Sequence, residues 1–269
     1  MRFRPFAPLG ELWDPSHRFE TSWLIPPAIL AAVRALFSVY IFVTLVFVLV
    51  WNGEHKSLGG WTTAGDQFVY FTVLTYWGLA FYFAVAAVHT FTYALTGTAL
   101  LDRFPRSLQH LHGLFYSTVT VFPFIVTAVY WGKLYSGPWF PVTFDAWRNV
   151  SQHATNSGFA LFEIVVARTA PQPWVHVAGL LVLLALYLGL AYLARLTRGF
   201  YVYSFLDPSQ SGGPGIIAAY VFGIAVGCGL VFVVVQGLIW LRQYVTEKKL
   251  GLEGKLAKAD RRPVETSKA

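Results

Sequence analysis

Of the 269 residues, 56% are hydrophobic and only 12% charged, with a mean hydropathy of +0.53. A soluble globular domain carries about 25% charged residues, so this chain has too little polar surface to face water all round. The net charge of +7 does not point to nucleic acid, because eight of the twenty basic residues lie from Arg242 onward and read as a membrane-surface patch. The single cysteine, Cys228, sits in an apolar run and excludes both a disulfide framework and a cysteine-built metal site.

In chain order, residues 1–25 lack a short apolar core with a small-residue cleavage site and read as an N-terminal cytosolic segment rather than a signal peptide. Apolar runs follow at roughly 26–51, 67–97, 112–135, 150–168, 174–196 and 215–243. A helix needs about 20 such residues to cross a hydrocarbon core of about 30 Å. The pattern predicts an all-α, polytopic membrane protein, a bundle of about six transmembrane helices over 26–243. Turn-forming stretches such as WNGEHKSLGGWTTAGD and LDPSQSGGPG separate the spans, and Trp51, Trp61, Trp131, Trp139, Trp147, Trp174 and Trp240 cluster near span ends as interfacial anchors do. Pro123, inside span three, predicts a local kink. Residues 244–269 read as a basic, disordered cytosolic tail.

Six crossings place both termini on one side of the membrane. Fourteen basic residues fall on that side and five on the other, with Arg34 inside span one, so the positive-inside rule puts both termini in the cytosol.

Ionisable groups within a bilayer are costly and invite a functional explanation with a named partner. Arg34, His89 and Glu163 are three such groups. Arg34 and Glu163 either satisfy each other between packed helices or form part of a site, and His89 reads as a core histidine. Span four, RNVSQHATNSGFALFEIVVART, is the informative one. At about 100° per residue, Asn156 lies about 60° and Glu163 about 80° round the helix from His153. The three share a face, which is expected to point into the bundle. That face either bonds helices together or lines a polar pocket. Thr72 in span two lies at the same depth as His153 and Asn156, so it reads either as a structural helix threonine or as a nucleophile with an imidazole base. Tyr201, Tyr203 and Asp207, in the loop after span five, open on the same side and read either as an interfacial aromatic belt before a glycine-rich turn or as candidates to close over a pocket. Gly223 and Gly227 form a GxxxG in span six, read as internal packing.

Soluble-enzyme signatures are absent: there is no phosphate-cradling glycine loop, no HExxH and no GxSxG. His110 and His112 lack a second ligand pair, so neither a metal nor a cofactor is expected. The expected partners are membrane lipids.

The stretches HATNSGFALFE, ARTAPQPWVH and YVYSFLD, with FVYFTVLTYWG in span two, resemble those of the rolling-stone-like multispanning proteins over about residues 20–245. More distantly, the same landmarks resemble the androgen-induced membrane proteins, which hydrolyse fatty acid esters of hydroxy fatty acids. The second resemblance implies an enzyme of an internal membrane such as the endoplasmic reticulum, acting on lipid esters, with Thr72 on the family's threonine nucleophile. The family's catalytic histidine aligns with Asn156, whose amide cannot take a proton as a base; His153, one turn earlier, would then serve. Catalytic residues Thr72, His153 and Asn156, with Glu163, Tyr203 and Asp207 as possible pocket residues, constitute the enzyme reading. The rolling-stone likeness implies the alternative, a non-catalytic scaffold or a lipid-binding or fusion component. The residues leave oligomeric state open.

Overall fold

The structure, a computed structural model, describes residues 13–252. The described chain is helical, with the elements α1 (Pro27–Glu54), α2 (Gly60–Asp66), α3 (Phe71–Thr96), α4 (Arg106–Val129), α5 (Thr143–Val150), α6 (Asn156–Val166), α7 (His176–Arg198), α8 (Pro208–Ser211) and α9 (Pro214–Gln243). Three π-helical turns extend or join them: Tyr130–Leu134 after α4, Ser151–Thr155 between α5 and α6, and Tyr244–Lys249 after α9. Five helical runs are long and apolar enough to cross a membrane: α1, α3, α4 with its π turn, α7, and α9 with its π turn. Local sequence sets their ends. Proline at the first position opens α1 and α9, where its missing N–H costs no hydrogen bond. Left-handed Gly97 and Gly199 close α3 and α7.

The fourth predicted span is not one uniform helix. It runs from Thr143 to Val166 as α5, a π turn and α6. Its 24 residues rise about 36 Å at 1.5 Å each, and they traverse the bundle. At one end Phe144 stacks on Trp51, the ring centroids 4.6 Å apart. At the other end Ser22 Oγ donates to the carbonyl of Val166 at 2.6 Å. Arg18 pairs with Glu247 at 2.7 Å at that same end, so the first and last described segments meet there. We call it the terminal end. The opposite, far end carries the Asp66–Arg198 ion pair and the contact of Phe71 with Tyr203.

A helix end buried in a bundle must satisfy its last carbonyls. At the end of α6, Trp23 Nε1 donates to Val165 O at 2.7 Å, Ser22 donates to Val166 O, and Arg242 donates to the carbonyls of Ile164, Ala167 and Thr169. An isolated antiparallel bridge between Ser22 and Ala167 completes the seam. The α9 helix therefore does not give way to a free tail at residue 244: it continues through Lys249, with Glu247 buried against Arg18. The remainder of the expected tail, 253–269, lies outside the described residues, as do residues 1–12.

α4 is the central helix, with 56% of its most apolar stretch buried; α7 and α9 are peripheral at 17% each. The main core joins α1, α3, α4 and α9 through Ile41, Leu45, Tyr82, Phe83, Tyr116 and Phe232. Between lipid-embedded helices the hydrophobic effect supplies no drive, so close packing and interhelical hydrogen bonds carry the association. Ser38 Oγ bonding Ala80 O at 2.9 Å, between α1 and α3, is one such tie. The GxxxG of α9 does not act as expected. A Cβ added at Gly223 or Gly227 would meet nothing within 4 Å, so no helix packs closely there.

Candidate functional site

The first N–H groups of α3 lack partners within the helix, and the residue before it, Tyr70, supplies no side-chain cap. The cap comes from far along the chain: Phe71 N donates to the hydroxyl of Tyr203 at 3.1 Å. The same phenol lies close to the side chains of Tyr187 and Thr72, and burial pushes it above its usual range, so it keeps its proton. Tyr187 in turn donates to Val69 O at 3.1 Å. Thr72 and Tyr203 are thus brought together.

Both line a cavity of about 310 Å³ between α4, α7 and α9, whose far end is closed by the start of α3 and the loop 200–206. That volume is at the lower end of the range for small-molecule sites. Tyr130 and Tyr187 also line it, and the remaining wall is hydrocarbon, including Ile125, Val129, Leu184 and Ile224. A narrow apolar chamber with hydroxyls gathered at one end suits an acyl chain with a polar head.

His153 does not line the cavity. Its ring lies flat on that of Tyr130, centroids 3.6 Å apart and planes 11° from parallel. Its Nδ1 sits 3.0 Å from the carbonyl of Asn149, one turn back. A carbonyl only accepts, so Nδ1 carries the proton and Nε2 of the neutral ring is left as an acceptor. The backbone carbonyl of His153 accepts from Trp131 Nε1 at 2.9 Å. The two π-helical turns, Tyr130–Leu134 and Ser151–Thr155, therefore meet through these contacts. Such turns recur at functional sites because they re-aim side chains within a helix.

Asn156 is committed elsewhere. Its Nδ2 donates to Pro123 O at 3.3 Å, and its Oδ1 accepts from Thr127 Oγ1 at 3.2 Å and from Ser157 N at 2.8 Å. Ser157 Oγ donates to the same Pro123 carbonyl at 3.1 Å. The Asn-Ser pair thus fastens α6 to α4 at its internal proline.

Glu163 is buried and does not line this cavity. It takes two hydrogen bonds from Arg34, through Nε at 3.1 Å and through a close Nη2 contact, and a third from Tyr82 at 3.0 Å. Arg34 Nη1 donates to Phe19 O at 2.8 Å and to Thr90 Oγ1. With both partners fully buried and bonded, this is a fastener joining α1, α3, α6 and the N-terminal segment. Asp207 also leaves the pocket. It caps the short α8, accepting from Ser209 N at 2.9 Å, and the bonds from Ser209 and Gln210 hold its carboxylate below the usual range. Tyr201 stacks under Arg195 instead of closing the cavity. His89 is buried with no hydrogen-bond partner on Nδ1 among the described residues.

Tyr130 and Tyr187, whose hydroxyls donate to Asn149 Oδ1 at 2.7 Å and to Val69 O at 3.1 Å, also line the cavity and were not singled out from the sequence. The aromatic run at the end of span three was the available signal for Tyr130; Tyr187, mid-span, had none.

The fold and this site define a multi-pass α-helical membrane protein with a hydroxyl-rimmed apolar cavity. The sequence model of the FAR-17a/AIG1-like proteins matches residues 32–237, and the chain belongs to that family. Of the two resemblances in the sequence, the match is with the androgen-induced one. No curated protein and no solved structure matches the chain.

Proposed function

We propose that this protein is a threonine-dependent lipid ester hydrolase of an internal membrane. The reading is carried by one observation: Thr72 stands with Tyr203 at the polar end of a cavity that is otherwise hydrocarbon. Thr72 Oγ attacks the acyl carbonyl, and its proton is delivered to the departing alcohol as the ester C–O bond breaks; His153, outside the cavity behind Tyr130, is not placed to take that proton directly. Water afterwards cleaves the acyl-threonine, restoring the hydroxyl. Tyr203, which accepts a helix N–H and keeps its own proton, donates to the oxyanion. Asn156 acts as a positioning residue by holding α6 on α4.

Purified wild-type protein should react with a fluorophosphonate probe and cleave a long-chain fluorogenic ester, and Thr72→Ala should abolish both. Unchanged labelling of Thr72→Ala would remove Thr72 from the chemistry.

A second reading is non-catalytic lipid binding or scaffolding. It is favoured by the hydrogen bonds of span four, where Asn156, Ser157 and His153 Nδ1 all bond backbone carbonyls. It requires that His153→Ala lower thermal stability in detergent while neither form turns over any ester.

A further inference from the structure

The cavity is not equally closed on all sides. Toward the far end, Phe205 and Leu206 lie over it and are buried, so that side offers no opening wide enough for an acyl chain. Toward the bundle axis, the Ile125 and Val126 wall of α4 is buried as well. Between α7 and α9 the situation reverses: lining residues Leu181 and Phe222 are 37% and 71% exposed, and Ala185 is exposed beside them. Next to Phe222, Gly223 presents no side chain, and a Cβ there would touch nothing. These are the outward faces of the two most peripheral spans, and what lies against them is bilayer hydrocarbon.

The cavity's extent supports the same route. Its walls run from Leu181 to Leu188 on α7 and from Ile125 to Leu134 on α4, or about 10–14 Å at 1.5 Å per residue. That falls short of the about 15 Å depth of one leaflet's hydrocarbon. A lipid head held at Thr72 would leave its chain running down the cavity and out through the gap, with its tail still among the lipids.

We infer that the cavity is loaded sideways from the membrane: one acyl chain of a bilayer lipid passes between α7 and α9 through a portal bounded by Leu181, Ala185 and Phe222. Only the placement of the ester at Thr72 rests on the hydrolase reading; the portal rests on the exposure of its own residues. A membrane-resident substrate then needs no extraction into water, and portal width governs which chains are admitted.

The full chain, reconstituted in phosphatidylcholine nanodiscs, can be irradiated with a palmitoyl ester bearing a mid-chain diazirine, and adducts mapped by mass spectrometry. Adducts on 181–188 and 221–225 should exceed those on the lipid-facing α1 stretch 36–43 by at least about five-fold, equivalent to about 1 kcal/mol of preference. Ala185→Trp, which fills the portal, should bring them down to the α1 level, with Leu181→Trp as the substitute if that variant does not purify as a monodisperse species. Thr72→Ala should keep the labelling. Equal labelling of the portal and α1, or labelling indifferent to the portal tryptophan, overturns the inference. Portal labelling without hydrolysis by the wild type sinks the hydrolase reading and leaves the portal standing. Hydrolysis without portal labelling does the reverse.

Discussion

The bundle has two polar regions that meet the same physical difficulty in opposite ways. On the side of α1, α3 and α6, Arg34 and Glu163 are fully buried, and every bond they make is to protein: Tyr82, Thr90, Phe19 O and each other. On the side of α4, α7 and α9, the Tyr203 hydroxyl accepts a helix N–H, yet it and Thr72 line a chamber whose other walls are mostly hydrocarbon. Charge explains the division. An ion in hydrocarbon demands complete compensation and so yields a closed fastener, whereas a neutral hydroxyl tolerates a free side. The residue types that look most functional in the sequence are therefore those most fully absorbed by packing.

That contrast can be broken by substitution. Glu163→Ala strands a buried guanidinium and should cost about 3–5 kcal/mol, read as a large fall in the detergent melting temperature. Arg34→Met with Glu163→Leu should recover most of the loss; a double variant as unstable as the sum of the two singles would refute the fastener. Thr72→Ala, on the other side, should alter stability by less than about 1 kcal/mol while removing probe labelling.

The closed side is not fully satisfied. Glu20 is buried with Oε1 unpartnered among the described residues, and burial, reinforced by Asp14, pushes its carboxyl up to about 8. An acid raised by folding keeps its proton in the folded state while the unfolded chain releases it. Stability is then complete below about 4.5 and is lost progressively as pH rises toward about 8. Glu20→Gln should therefore stabilise the protein at pH 8, by on the order of 4 kcal/mol, and the gain should vanish below about pH 4.5. A gain independent of pH would mean that Glu20 is not the titrating group.

A substitution of smaller expected effect than those at Glu163 and Glu20 sharpens the open side. Tyr203→Phe leaves the first N–H of α3 uncapped and should cost about 1–2 kcal/mol. Under the hydrolase reading it should lower kcat far more than KM, whereas a purely structural cap would leave the kcat of the folded fraction unchanged.

Membrane residence, the crossing segments and the inward polar face of span four were legible in the sequence, because they depend on composition and on helical periodicity alone. Span lengths follow from bilayer thickness, and the angles among His153, Asn156 and Glu163 follow from 3.6 residues per turn. Periodicity shows that a side chain faces inward but not which neighbour it meets. Only the tertiary structure decided that Glu163 pairs with Arg34, that Asn156 fastens α6 to Pro123, and that His153 stacks on Tyr130. The cavity depended on it entirely, because Thr72 and Tyr203 lie 131 positions apart. Their meeting depends on the loop after α7 folding back over the start of α3, a long-range contact that no local pattern of residues encodes.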